Sequence, residues 1–213
     1  MKIPTRMVSL ALALGVVGLC GLPVRPAHGA PENKSREVLD SWLANVKRSM
    51  SIKVEPKIIP IEDGSIQKVF PEEHFYGVYF PRWPVAVRLP AELSYETIIC
   101  VRHNGSVEPI RNWDALKTFF EQFLADIKSE PQARAAILAS LRLAEAGAEG
   151  GPYQLEKPDI SVVQKEENIV ATARAAVQEP SRGKITIRIE FSADGRVVPG
   201  AIEIGGRPRP GPP

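Results

Sequence analysis

Cysteine, histidine and aromatic side chains are scarce in this chain of 213 residues: it has two cysteines and three histidines, and 7% of it is aromatic. Cys20 and His28 fall within the first thirty residues, so Cys100 is the single thiol of the remainder. One thiol closes no disulfide within a chain, and stability has to come from packing. A zinc site takes three or four convergent ligands, commonly His, Cys and acids; with so few His and Cys, nearly all of them would have to be carboxylates. A phosphate-cradling glycine loop, a G-x-S-x-G elbow and an H-E-x-x-H pair are all missing from the sequence. No cofactor is implied, and the reading is of a non-enzymatic protein.

Strong charge of either sign is also missing. The formal charge is +2, and leaving out Lys2, Arg6 and Arg25 of the first thirty residues brings it to −1. Nucleic-acid binding needs clustered Lys and Arg to neutralise phosphates, and no such cluster follows residue 30. Nucleic acid is therefore not an expected partner.

What is present starts at the N-terminus. Lys2 and Arg6 precede an apolar run from Met7 to Leu22, which ends at Pro23 and leads through small residues to Pro31. This is the order of an export signal, predicted over residues 1–30 with cleavage after Gly29, where Ala27 stands at minus three, or after Ala30. The run falls short of the roughly 20 residues that span a bilayer comfortably. Cys20 closes it as the cysteine of a bacterial lipoprotein does, although Leu19 stands where such boxes have a small residue, so lipidation at Cys20 is the alternative. The expected location is periplasmic or extracellular, with membrane attachment only if the signal is retained or Cys20 carries lipid.

The remainder reads as α+β: antiparallel sheet or sheets with hairpins, packed against two to three amphipathic helices, and a C-terminal antiparallel meander. Val38, Leu39, Trp42, Leu43, Val46 and Met50 recur at helical spacing over residues 33–50. Asp63-Gly64 predicts a hairpin between two short strands in 51–70, with Pro56 and Pro60 marking an edge. Residues 75–80 are apolar on both alternating faces apart from Gly77, as in a strand covered on both sides. Asn104-Gly105 predicts the clearest hairpin. Asn112 and Ser129 are N-caps of two helices, the first with an apolar stripe from Leu116 to Ile127, the second with Gln132 completing a capping box.

After "GAEGGP" the period becomes two. Ile185, Ile187, Ile189 and Phe191 alternate with polar residues, and Asp194-Gly195 turns this strand into 197–204. Residues 160–164 and 169–177 are read as further strands, although the alanines of "ATARAAV" also suit a helix. The expected organisation is an N-terminal α+β region, 31–147, a C-terminal β region, 153–204, forming one domain with it or a second, and a disordered Pro/Gly-rich tail, 205–213. By analogy of fold alone, a helix on a curved sheet of the cystatin or NTF2-like kind suits the C-terminal half.

Candidate chemistry is sparse. Cys100 and His103 are three apart on one strand and point to opposite faces, which disfavours a thiol–imidazole pair. Glu72, Glu73 and His74 stand in a row but diverge in direction, and read as a solvated lead-in to the aromatic strand. Asp194 is a turn residue, lacking the further oxygen ligands of a calcium loop. The aromatic segment 75–83 is left. Tyr76, Tyr79 and Trp83, with Arg82 as charged neighbour, are the candidate ligand-binding residues, since Tyr and Trp stack on sugars while offering a polar edge. Two readings follow: an exported interaction or assembly protein with an unknown protein partner, or a small-ligand or glycan-binding module built on that segment.

Overall fold

The computed structural model describes residues 29–81, 88–148, 153–206 and 208–209. The elements run α1 (Gly29–Ser49), β1 (Lys57–Pro60), α2 (Gly64–Val69), β2 (His74–Tyr79), β3 (Glu96–Val101), β4 (Val107–Ile110), α3 (Trp113–Phe123), α4 (Glu130–Ala146), β5 (Asp159–Lys165), β6 (Asn168–Ala176), β7 (Lys184–Phe191) and β8 (Val197–Gly205). Two four-stranded antiparallel sheets form, in the orders β1-β2-β3-β4 and β5-β6-β7-β8. The α+β class and the C-terminal meander are as expected, and "ATARAAV" is strand, with Ala171, Ala173 and Ala175 turned to the core.

The first sheet is covered on both faces, which explains its unbroken apolar strands. Tyr76 and Val78 of β2, with Ile99 and Val101 of β3, pack against Leu39 and Leu43 of α1. Phe75 of β2, with Ile98 and Cys100 of β3, faces the other way, into a core shared with α2, α3, α4 and the second sheet. Helix α4 is central to that core and packs on α2, α3, β5, β6 and β7. A helix with neighbours on several sides needs apolar residues on several sides. Its buried set, from Ala133 and Ala136 through Ile137 and Leu141 to Ala144, meets this with small residues that allow close approach to the alanines of β6.

Three expectations are corrected. Asp63-Gly64 makes no hairpin. Asp63 is the N-cap of α2, and its Oδ1 accepts a hydrogen bond from Ser65 N at 2.8 Å. Ile66, Val69 and Phe70 follow at i, i+3 and i+4, so a helical face takes over from the turn signal. Second, α3 stops at Phe123. Leu124 and Ile127 are buried as expected, but from an extended connection whose Ile127 N–H bonds to Gly195 O at 3.0 Å. Third, Gly205 is the last residue of β8, and Arg209 exchanges two backbone hydrogen bonds with Arg182 at 2.7 and 3.1 Å, so the tail is paired at these positions.

Both N-caps stand where expected. Asn112 accepts from Ala115 N at 2.8 Å. Ser129 is the N-cap of α4, but the expected capping box does not form: Gln132 accepts from the N–H of Lys128, the residue before the cap, and from the Ser129 hydroxyl, and the Ser129 side chain makes no bond to the helix backbone.

Candidate functional site

The antiparallel register of β2 and β3 sets up a concave site at one end of the first sheet. His74 stands opposite Val101, so the chain just before β2 meets the chain just after β3. Glu73 and Arg102 consequently face each other, with Arg102 Nε 3.6 Å from Glu73 Oε1 and both side chains largely covered, at 23% and 13% exposure. The Arg102 guanidinium also lies over the Phe123 ring, 4.0 Å from its centroid, a distance at which cation–π attraction is effective. A charge held from two directions gives up less conformational freedom on binding than a free arginine.

His103 follows in the hairpin turn. Its Nδ1 lies 3.8 Å from Glu72 Oε2 and 3.8 Å from Glu73 Oε1, too far for direct hydrogen bonds. Together with Lys34, Glu62 and His74 these residues line a cleft of about 1060 Å³ between the start of α1, α2 and the β3–β4 turn. At its floor the Ser35 hydroxyl and the Tyr76 phenol form a buried hydrogen bond of 2.7 Å. The cleft thus offers ions of both signs at its rim and two hydroxyls beneath.

The residues singled out from the aromatic segment do not form one shelf. Tyr76 and Tyr79 are three apart on β2 and lie on opposite faces. Tyr76 is 3% exposed and buried beside α1, where it contributes to the floor of the cleft. Tyr79 is half-buried on the other face, its pKa raised by burial and secondarily by Glu96. Arg82, Trp83 and Cys20 lie outside the described residues.

Cys100 sits at 0% exposure on the face away from α1, and burial, followed by Glu73, holds its thiol above the ordinary range. It is inert in this position, and His103 is at the surface of the hairpin. The imidazole brought to Glu72 and Glu73 is therefore His103, twenty-nine residues on from its sequence neighbour His74. Among the described residues no three His, Cys, Asp or Glu side chains converge to hold a metal ion. A second cleft of about 780 Å³ lies at the opposite end of the first sheet, lined by Tyr95, Arg111, Trp113 and Lys117 among others. Trp113 has its indole N–H committed to Ala144 O at 3.0 Å.

Sequence reasoning missed Arg102. The signal for it was the pairing of two apolar strands: once β2 and β3 are aligned antiparallel, Glu73 and Arg102 are the next pair beyond the ladder. In comparisons with known proteins, the chain matches no family model, no curated protein and no solved structure.

Proposed function

We propose that this chain is an exported, non-enzymatic interaction or assembly protein of the bacterial envelope or extracellular space, and that it engages a protein partner through the mixed-charge cleft. The observation that carries this reading is Arg102, held by Glu73 on one side and Phe123 on the other at the rim of a large open cleft. At 3.6 and 3.8 Å the contacts of Arg102 and His103 with Glu72 and Glu73 are longer than direct hydrogen bonds, a separation that leaves room for bridging water. Oppositely charged groups on a partner replace that water, and such complementarity gives specificity and fast association. The export part of the proposal rests on the charged, apolar and small-residue order of residues 1–30, for periplasmic or extracellular delivery, with a lipid anchor on Cys20 as its alternative. Among the described residues no helix is long and apolar enough to cross a membrane.

The aromatic-segment reading loses Tyr76 as a stacking platform, because the residue is buried in the core beside α1 and its hydroxyl is hydrogen-bonded to Ser35 of that helix.

The test is a photo-crosslinking residue placed at Glu72 in the exported protein, with Gln178 as a remote control position. A discrete protein adduct at 72, absent at 178 and lost on Arg102→Ala, is expected. N-terminal sequencing of the same sample should begin at Ala30 or Pro31, or at Cys20 if it carries lipid. An intact N-terminus in the cytoplasm overturns the export part, and adducts insensitive to Arg102 overturn the role of the cleft.

A further inference from the structure

The four sheet edges of this fold are not alike. Three carry a proline, which removes a ladder donor and protects an edge from pairing: Pro60 in β1, Pro109 in β4 and Pro199 in β8. On β8 there is further cover, since the Gly200 N–H is bonded to Glu121 Oε1 at 3.1 Å. The fourth edge, β5, reads Asp159-Ile-Ser-Val-Val-Gln-Lys165, without proline and with charge only at its two ends. It pairs with β6 along one side over all seven residues. Among the described residues, its backbone makes no hydrogen bond on the other side.

The side chains of this edge carry the same message. Ile160 and Val162 face the core but stay partly exposed, packed against it from one side only. Val163, on the outer face, is 56% exposed, and it is the one exposed large hydrophobic residue among the described residues. An unprotected edge of this kind is a template for a further strand.

We infer that β5 pairs antiparallel with β5 of a second copy of this chain. The charges select the partner. In the register that sets Val162 opposite Val162 of the second copy, Asp159 stands opposite Lys165 of the second copy, and Lys165 opposite Asp159 of it. Both ion pairs are formed at once, because a two-fold axis through the centre of the strand repeats every contact. Ser161 falls opposite Val163 and Ile160 opposite Gln164, with no like charges juxtaposed. Val162 meets its own copy on the core face and completes the cover that each protein lacks there. The assembly closes at two copies, since pairing consumes both β5 edges and the proline-bearing β8 edge takes no further strand. This inference is independent of the cleft and of export.

The test is sedimentation of the purified protein and of three variants, Asp159→Lys, Lys165→Asp and the double exchange, over a range of concentrations. The parent should be a dimer. Each single variant places like charges opposite each other twice and should raise the dimer Kd by about tenfold, and the double exchange should restore it. Lys165→Asp is the cleaner single variant, since Asp159→Lys also sets a lysine across from Arg174 of β6; thermal melts of all four proteins check that each is folded. Hydrogen exchange should protect the β5 amides in proportion to protein concentration. A parent that stays monomeric overturns the inference, whether or not a foreign peptide adds to β5. A dimer with the same Kd in all four proteins, and β5 amides that exchange alike at every concentration, overturns it as well.

Discussion

The ring of Tyr79 occupies the space in which a side chain at position 77 would lie: a β-carbon on Gly77 falls 2.7 Å from Cε2 and 2.7 Å from Oη of Tyr79. Residues two apart share a strand face, and here the tyrosine leans back along β2 over the glycine. Alanine at an unobstructed position favours folding by restricting the unfolded chain. At 77 the ring must first swing outward, which its half-buried position allows at moderate cost. Gly77→Ala should therefore destabilise by about 1 kcal/mol, and be neutral or stabilising in a Tyr79→Ala background. Urea unfolding of the four proteins measures this coupling, and strictly additive effects would refute the contact. The displaced phenol should also titrate lower than in the parent, because burial is the main cause of its raised pKa.

Gly105 and Gly195 share φ of +82° in hairpin turns of one pattern, in which Asn104 or Asp194 accepts from the backbone N–H two residues on. Their surroundings differ. A β-carbon at 105 meets nothing within 4 Å, whereas one at 195 falls 2.8 Å from Ile127 N and 3.1 Å from Asp126 C. Gly105→Ala should cost only the left-handed backbone, about 1–2 kcal/mol. Gly195→Ala must in addition push away the connection between α3 and α4, whose Ile127 N–H bonds to Gly195 O. A loss of about 3 kcal/mol or more is expected. Equal losses in chemical denaturation would show that the connection yields freely.

Patterns within one element and hairpins between neighbouring strands were largely legible in the sequence, and contacts between elements far apart in it were not. The period-two run of β7, the stripe of α3 as far as Phe123 and the Asn112 cap are local, and these match the structure. Asp63-Gly64 misled because aspartate accepts backbone N–H groups equally well in a turn and at a helix start. The residues after it decided between them. The cleft draws on residues 34–35, 62, 72–76 and 101–105, which meet through the pairing of β2 with β3 and the packing of α1 on that sheet. Tyr76 and Tyr79 were read as one surface by proximity in sequence, but a strand separates odd from even positions.

Glu145 sets a stability trend with alkaline sign. Its carboxylate accepts from Arg142 at 3.0 Å and is 12% exposed, yet burial outweighs the arginine and raises its pKa. A carboxyl with a higher pKa in the folded than in the unfolded state holds its proton longer when folded. As pH rises from the unfolded value through the raised folded one, the native state loses stability. Glu145→Gln removes this titration while keeping an oxygen for the Leu155 N–H, and Arg142 retains Asp63 at 3.5 Å. The variant should melt above the parent at pH 7, with the gap closing below the carboxylate range. A variant less stable at every pH would assign the larger contribution to the Arg142 ion pair.

Glu190 and Asp194 act with the opposite sign at the end of the meander. The Asn168 amide, bonded to Glu190 Oε1 at 2.8 Å, is the main cause lowering the Glu190 pKa. For Asp194 the main cause is the Ser192 hydroxyl. A depressed folded pKa contributes stability that is fully present above the unfolded value and is lost as pH falls through the folded one. Asn168→Ala and Ser192→Ala should therefore lower Tm at neutral pH and converge with the parent in acid, flattening the acid limb of the Tm profile. Asp194 is exposed and Glu190 partly covered, so added salt should shrink the part of the difference owed to Arg196 more than that owed to Arg188, and leave the part owed to the amide and the hydroxyl. Parallel profiles with a constant offset would mean that the protonated acids keep these bonds, and that other carboxylates drive the loss of stability in acid.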